Sequence, residues 1–253
     1  EMGVKELIIV AQDTTRYGMD LYGERKLSEL VRKLCQIDGI EWIRLHYLYP
    51  DEIDDELIET VAAEEKVVKY LDIPIQHIND GILQRMNRRG TGGEIRQLFK
   101  KLRERIPGLV LRTSIIVGLP GEGEAEFEEL ADFLREAKIE RAGVFTFSPE
   151  EGTRAAEMPD IPPEEVAVHR AELLIDIQSR IIDEFNERMI GKVLRVLVEG
   201  YDSETGCMYG RSFADSPDVD GRVYFDYDAE PGEFVNVRIT DSYGGDLAGE
   251  VEA

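Results

Sequence analysis

The chain is poor in the residues that build metal centres and disulfide frameworks. Among 253 residues it has two cysteines, three histidines and one tryptophan. Cys35 and Cys207 are too far apart in sequence to form a zinc knuckle, and two thiols make no disulfide scaffold. No HExxH-type spacing brings histidines together, so His46 and His77 are poor metal candidates. No apolar run approaches the roughly 20 residues of a membrane helix, and no basic-plus-apolar signal segment opens the chain. These absences predict a soluble, cytoplasmic protein with no membrane partner.

Positive charge is also scarce. Thirty Lys and Arg face 53 Asp and Glu, for a net charge of −23. A partner held mainly through phosphates needs cations that displace its counterions, and the mean field of this chain opposes it. The field favours a basic partner, although solubility alone also explains acidity. From Gly191 onward 5 basic residues stand against 14 acidic ones, a charge of −9. Hydrophobic residues make up 42%, enough for one large domain or a large and a small one.

The first two-thirds alternates strand-like and helix-like segments. Leu7–Ala11, Trp42–Leu48, Val67–Ile75, Leu109–Val117 and Ala142–Phe147 are short, rich in β-branched and aromatic residues, and often apolar on both faces. Buried parallel strands read this way. Between them, stripes headed by Leu27, Ile53, Ile95 and Phe127 follow helical spacing. The alternation implies right-handed βαβ units and a parallel sheet. Without a Rossmann glycine fingerprint, five such units suggest a (β/α) barrel. Only about 150 residues are available where a complete one needs about 250. The expected fold class is α/β: an incomplete, open (β/α) barrel followed by a small antiparallel β-barrel.

Pro162-Pro163-Glu164-Glu165 opens a long helix whose stripe runs Val166, Arg170, Leu173, Leu174, Ile177, Ile181, Phe185 and Met189. Gly191 stops it. Five short strands between Gly, Asp and Pro then predict a small barrel of the OB type. The expected units are 1–161, 162–190 and 191–253.

In a parallel barrel the strand C-termini carry the site. Those ends read Gln12-Asp13-Thr14-Thr15-Arg16-Tyr17, His46-Tyr47-Leu48-Tyr49-Pro50, Pro74-Ile75-Gln76-His77, Val117 to Glu122, and Phe145 to Glu150. A hydrogen-bonded core histidine is the plain reading of His46 and of His77. Arg112 lies inside an apolar strand, where an unpaired charge costs several kcal/mol. It points either at an anionic ligand, such as a carboxylate, or at a structural Asp or Glu. Gly118-Leu119-Pro120-Gly121-Glu122 either cradles a ligand with bare backbone N–H groups or makes a tight turn. Gly90-Thr91-Gly92-Gly93 lacks the Lys-Ser/Thr of a phosphate loop and reads as a helix-breaking turn. Cys35 reads as a small core residue and Cys207 as part of a turn or strand start.

Several segments carry a resemblance. LIIVAQDTTRYG at 7–18, RLHYLYP at 44–50, DIPIQH at 72–77, LQRMNR at 83–88, LRTSIIVGLPGEGEAEF at 111–127 and VFTFSPEEGT at 144–153 resemble the radical-SAM domain of the methylthiotransferases. The part from Gly191 onward is similar to their TRAM domain. YGRSFADSPDVDGRV at 209–223 looks like the version found in the RimO branch, which modifies an aspartate of ribosomal protein S twelve; another branch modifies a tRNA adenosine. The acidity of this module disfavours direct RNA binding. It suits the basic ribosomal protein S twelve as a partner held through the TRAM domain.

The resemblance implies an enzyme, a transferase that binds S-adenosyl-L-methionine (SAM) and two [4Fe–4S] clusters in its full-length form. SAM would be cleaved to a 5′-deoxyadenosyl radical that takes hydrogen from the aspartate β-carbon. The second cluster takes part in sulfur insertion, and a second SAM supplies methyl. The family's Cys-x3-Cys-x2-Cys motif and its three upstream cysteines are missing, and neither Cys35 nor Cys207 matches a ligand position. The chain thus reads as a fragment beginning near the family's second strand, without an initiator Met. It is expected to be inactive by itself, with no catalytic or metal residue of its own. The resemblance places Gln12, Asp13 and Thr14 by the SAM amino group. It places Gln76, Arg112 and Ser114 by the ribose and carboxylate, and Gly118 and Gly121 near the adenine. The alternatives are the tRNA adenosine branch and a non-catalytic binding module.

Overall fold

The computed structural model describes residues 3–252. Five parallel strands form one sheet in chain order: β1 (Glu6–Ile9), β2 (Trp42–Leu45), β3 (Val67–Asp72), β4 (Val110–Val117) and β5 (Arg141–Thr146). Each crossover carries a helix: α1 (Leu27–Cys35), α2 (Asp55–Ala63), the short α3 (Asp80–Arg85) with α4 (Gly92–Arg105), and α5 (Glu124–Ala137). A sheet of five strands in sequential order is an open part-barrel, as the pattern predicted.

Period-two alternation decides the two faces. Ile43, Leu45, Leu71, Leu111, Ile115 and Val117 join one core with the apolar stripes of the helices. Trp42, Val68, Tyr70 and Val110 face the other way and belong to a second core. The second face bears charge as well. Asp72, Arg112 and Arg141 stand in one row across β3, β4 and β5.

Helix starts follow local chemistry. Asp54 accepts from Leu57 N–H at 2.9 Å and caps α2. Thr91 and Glu94 form a reciprocal capping box on α4. The segment Gly90–Gly93, read from sequence as a helix-breaking turn, is therefore a helix start; its Thr-x-x-Glu spacing carries the signal.

Helix α6 (Glu164–Glu187) then crosses the sheet and packs against β5 and α5. Its buried line runs Ala167, Arg170, Ala171, Leu174, Gln178, Ile181 and Phe185, whereas Leu173 is 42% exposed. The predicted stripe was one residue too wide at Leu173.

β6 (Val193–Asp202), β7 (Cys207–Arg211), β8 (Val223–Phe225), β9 (Phe234–Tyr243) and β10 (Asp246–Val251) form a closed barrel. Its pairs are antiparallel except β8 with β10, which run parallel. The barrel is not separated from the sheet. Leu194, Val196, Val198 and Phe225 share the second core with Trp42, Tyr70 and Phe185, so the small barrel packs on the inner face of the large sheet. Trp42 meets Phe234 edge-on at 4.8 Å between ring centroids.

Candidate functional site

The inner face has two levels. The lower one, toward the strand N-termini, is closed by an ion network between sheet and barrel. Glu6 accepts from Arg44 Nε at 2.8 Å and from Arg211 Nη2 at 2.6 Å, with all three side chains nearly or wholly buried. Burial works against the Glu6 charge, but the two guanidiniums outweigh it and hold the carboxyl below the usual range. Arg44 also donates to Phe213 O at 2.9 Å and covers the Tyr70 ring at 4.7 Å.

The segment after β7 completes this network. Asp215 accepts from Arg141 Nη2 at 2.8 Å and Asp220 accepts from the Tyr70 hydroxyl at 2.6 Å. Burial first, and then the Asp220 charge, raise the Tyr70 pKa, so its proton stays on. Ser216 Oγ lies 3.0 Å from His46 Nε2. Burial lowers the His46 pKa, so the imidazole is neutral near pH 7. The Arg211 to Asp220 segment thus plugs the inner face of the sheet. Sequence reasoning missed this. Three arginines in strands, Arg44, Arg112 and Arg141, are the signal, because buried guanidiniums demand acids from somewhere.

The upper level is the open end at the strand C-termini, and the eight candidate residues divide between it and the network below. Asp13 caps its own turn by accepting from the Thr15 N–H at 3.0 Å and from the Thr15 hydroxyl. Thr14 donates to His46 O at 2.9 Å and is buried. Arg112 donates to the fully buried Asp72 at 3.0 Å, with Asp220 at 3.9 Å. Of its two sequence readings, the structure shows the acidic partnership. Gly118, at φ +79°, has room only for hydrogen, since a Cβ would lie 2.5 Å from the Ala167 Cβ of α6. Gly121, at φ +82°, would bring a Cβ 2.5 Å from the Arg85 guanidinium. Both glycines therefore have packing reasons.

Gln12, Gln76 and Ser114 differ. Among the described residues their side chains make no hydrogen bond, while Gln76 N–H donates to Ser114 O at 2.9 Å and seats the two together. Gln76 itself is left-handed, at φ +68°, a backbone state that side chains seldom adopt. Free amide and hydroxyl groups on this face fit a polar ligand. Gln12 and Asp13 also line a cavity of about 640 Å³ with Arg16, Tyr49, Met86, Asn87, Arg88 and Arg89. Gln76, Ser114, Gly118 and Gly121 are not among its lining residues.

The loop between β4 and α5 rests on a buried cluster that sequence reasoning also missed. Glu122 accepts from Arg170 Nη1 at 2.8 Å and from Gly118 N–H at 3.1 Å. His77 Nδ1 accepts from Asn79 N–H at 3.0 Å, so its proton sits on Nε2, 3.6 Å from Glu122. His77 is thus the hydrogen-bonded core histidine of the plain reading. The arginine within an apolar helical stripe, Arg170, was the available signal.

The described residues do not fit an iron–sulfur cluster: no group of three His, Cys, Asp or Glu side chains is placed to hold a metal. Cys35 is buried, and burial pushes its thiol up to about 11. Cys207 begins β7, in the other barrel.

The Radical SAM superfamily model matches residues 1–134. The chain belongs to that superfamily. A TRAM domain model matches residues 190–251. The chain thus joins a radical-SAM part to a TRAM barrel. It is 52% identical over 98% of its length to a protein of Acetivibrio thermocellus named ribosomal protein uS12 methylthiotransferase RimO. Proteins of the same name from Lachnoclostridium phytofermentans and Geobacter sulfurreducens are 50% and 51% identical, over 100% and 98% of the chain. The chain spans only 55%, 58% and 56% of these three relatives' own lengths. Among solved structures, HemN, the coproporphyrinogen III oxidase from Escherichia coli described as a radical SAM enzyme, gives a TM-score of 0.51 at 20% identity. That match covers 62% of this chain and 37% of HemN, and it speaks for the fold alone. Among the described residues no helix is long and apolar enough to cross a membrane.

Proposed function

We propose that this chain is the radical-SAM and TRAM part of a methylthiotransferase that modifies an aspartate β-carbon of ribosomal protein S twelve. The observation that carries it is identity near 50% along essentially the whole chain to relatives bearing that name. We assign residues 1–161 to the barrel, 162–190 to the connecting helix and 191–253 to the TRAM domain; Glu1, Met2 and Ala253 lie outside the described residues. We place the iron–sulfur ligands in the part of the full-length enzyme that this chain does not span.

When bound in the full-length enzyme, SAM supplies the hydrogen abstraction and, from a second molecule, the methyl group. This chain's share is binding and shielding. Gln76, from the segment after β3, and Ser114, from β4, offer hydrogen bonds to the ribose and carboxylate, and Gln12 offers its amide beside the amino group. Asp13 and Thr14 act one step back by fixing the turn that carries Gln12. Arg112 sets the charge beneath Ser114 through Asp72. Gly118 and Gly121 let the loop approach the adenine while α6 presses on it. The TRAM barrel, with a charge of −9, gives a basic substrate protein a complementary field and gives RNA a repulsive one.

The test uses the full-length enzyme with reconstituted clusters, SAM and a reductant, presented separately with ribosomal protein S twelve and with tRNA. A methylthio mass increase on the ribosomal protein is expected. The increase on tRNA alone would transfer the chain to the other branch.

A further inference from the structure

The cavity behind Gln12 holds two arginines without an ion pair among the described residues, the exposed Arg16 and the partly buried Arg88. Arg44, Arg112, Arg141, Arg170 and Arg211 each hold a carboxylate within 3.0 Å. Arg88 is the exception. It donates from Nη1 to Pro74 O at 2.9 Å and lies over the Tyr49 ring at 5.0 Å, and among the described residues no acidic side chain forms an ion pair with it. Burial pushes its pKa down, and neither the neighbouring Tyr49 nor Asp51 cancels that effect. A partly buried guanidinium held only by one carbonyl and an aromatic face keeps donors to spare, and an anion that meets them offsets the cost of burying its charge.

The acids that share the cavity do not fill the vacancy. Asp13 is spent on the Thr15 turn, and Glu52 is held by Arg25 at 2.6 Å with Arg89 at 3.5 Å. Asp51 lines the cavity beyond ion-pair reach of Arg88. Since Nη1 is taken by Pro74 O, the edge formed by Nε and Nη2 stays free, and that edge matches the two oxygens of one carboxylate. The stacking on Tyr49 keeps the guanidinium plane oriented. Gln12 and Asn87 on the same wall add amide groups, and about 640 Å³ holds an acidic side chain with its flanking backbone.

We propose that Arg88, oriented by Tyr49 and Pro74 O, is the counterion for the carboxylate of the acidic peptide side chain that the enzyme modifies. The inference rests on the function proposed above and deepens it. The TRAM charge draws in a basic protein indiscriminately, whereas Arg88 selects the one acidic side chain within it. A carboxylate also belongs to SAM, so the experiment separates the two sources.

The full-length enzyme with reconstituted clusters is compared with its Arg88→Gln and Arg88→Lys variants, reading KM and kcat for the ribosomal protein and the dissociation constant of SAM. Loss of a bidentate charged pair is expected to raise KM about 30-fold or more in Arg88→Gln, with SAM affinity unchanged. Arg88→Lys restores part of the loss, because charge remains without the fork. Asp51→Asn, which removes a negative charge from the cavity wall that opposes an incoming carboxylate, lowers KM and keeps the proposal testable if Arg88→Gln fails to fold. Unchanged KM in Arg88→Gln overturns the proposal, and so does weakened SAM binding with unchanged KM. If the wild-type enzyme does not modify the ribosomal protein, the proposed function fails separately. N-acetyl-aspartate amide titrated into this chain, against the asparagine amide and read on the Arg88 Nε–H resonance, then decides. A shift with the acid alone supports the carboxylate site, and equal response to both removes it.

Discussion

Glu6→Gln is the most informative single change for the joint between sheet and TRAM barrel. Glu6 is the one carboxylate shared by Arg44 and Arg211, at 2.8 and 2.6 Å, and the three side chains are 6%, 0% and 5% exposed. The amide keeps the shape and one acceptor oxygen but leaves two buried guanidiniums short of a counterion. Arg211 retains Glu199 at 2.6 Å, so most of the loss falls on Arg44, whose other partners are carbonyls and the Tyr70 face. Breaking a buried pair from one side costs about 3–5 kcal/mol. That predicts a fall of order 10 °C in melting temperature for a chain of this size. The pH dependence has a definite sign. A carboxyl whose folded pKa is depressed stabilises the fold above its unfolded pKa and loses that contribution as pH falls through the folded value. Wild-type stability should therefore drop on acidification below about pH 4.3 more steeply than that of Glu6→Gln, and the two curves should converge at the acid end. Urea unfolding followed by circular dichroism at pH 7 and at stepwise lower pH measures both effects. A destabilisation under about 1 kcal/mol at pH 7, the value of an exposed pair, would refute the buried-network reasoning.

Two further outcomes follow from local geometry. Gly118→Ala places a Cβ 2.5 Å from the Ala167 Cβ at a backbone φ of +79°, and should cost about 2–4 kcal/mol in urea unfolding. Adding Ala167→Gly should recover the packing part alone, and strict additivity of the two changes would show that the contact does not matter. For the thiols, Cys35 is buried with its pKa raised to about 11 by burial and by Glu64, while Cys207 is half-buried. Iodoacetamide at pH 8 should label Cys207 first, with Cys35 reacting only after denaturation; mass mapping showing equal rates would contradict the burial of Cys35.

The parallel sheet, its four long amphipathic helices and the C-terminal barrel were legible because each is written in local periodicity, within 4 to 14 residues for the strands and helices of the first unit. Helix α3 was not, since six residues are too few to establish a stripe. The inner-face network could not be read at all. Glu6 and Arg211 are 205 positions apart and Arg141 and Asp215 are 74 apart, and no local pattern links them. The sequence nevertheless marked the strand arginines Arg44, Arg112 and Arg141, whose acidic partners are Glu6, Asp72 and Asp215. The candidate residues divided along the same line. Gln12, Gln76 and Ser114, polar groups placed by the resemblance, make no side-chain hydrogen bond among the described residues. Thr14, Arg112 and Gly118, placed by the same resemblance, are engaged by neighbours that only the folded chain supplies.

The docking of the Arg211 to Asp220 segment against Arg141, Tyr70 and His46 bears on how such enzymes can be taken apart and recombined. A compact barrel at the C-terminal end of a chain can look like a detachable appendage. Here deletion would strip acids from the sheet and bare the apolar surface of Trp42 and Val68, so lost activity would report a damaged scaffold as readily as a lost grip on substrate. A chimera between branches would have to import the barrel together with the strand arginines that its loop neutralises. In this chain the two units are fitted to each other as a matched set, and the seam convenient for cloning is not the seam along which the molecule divides.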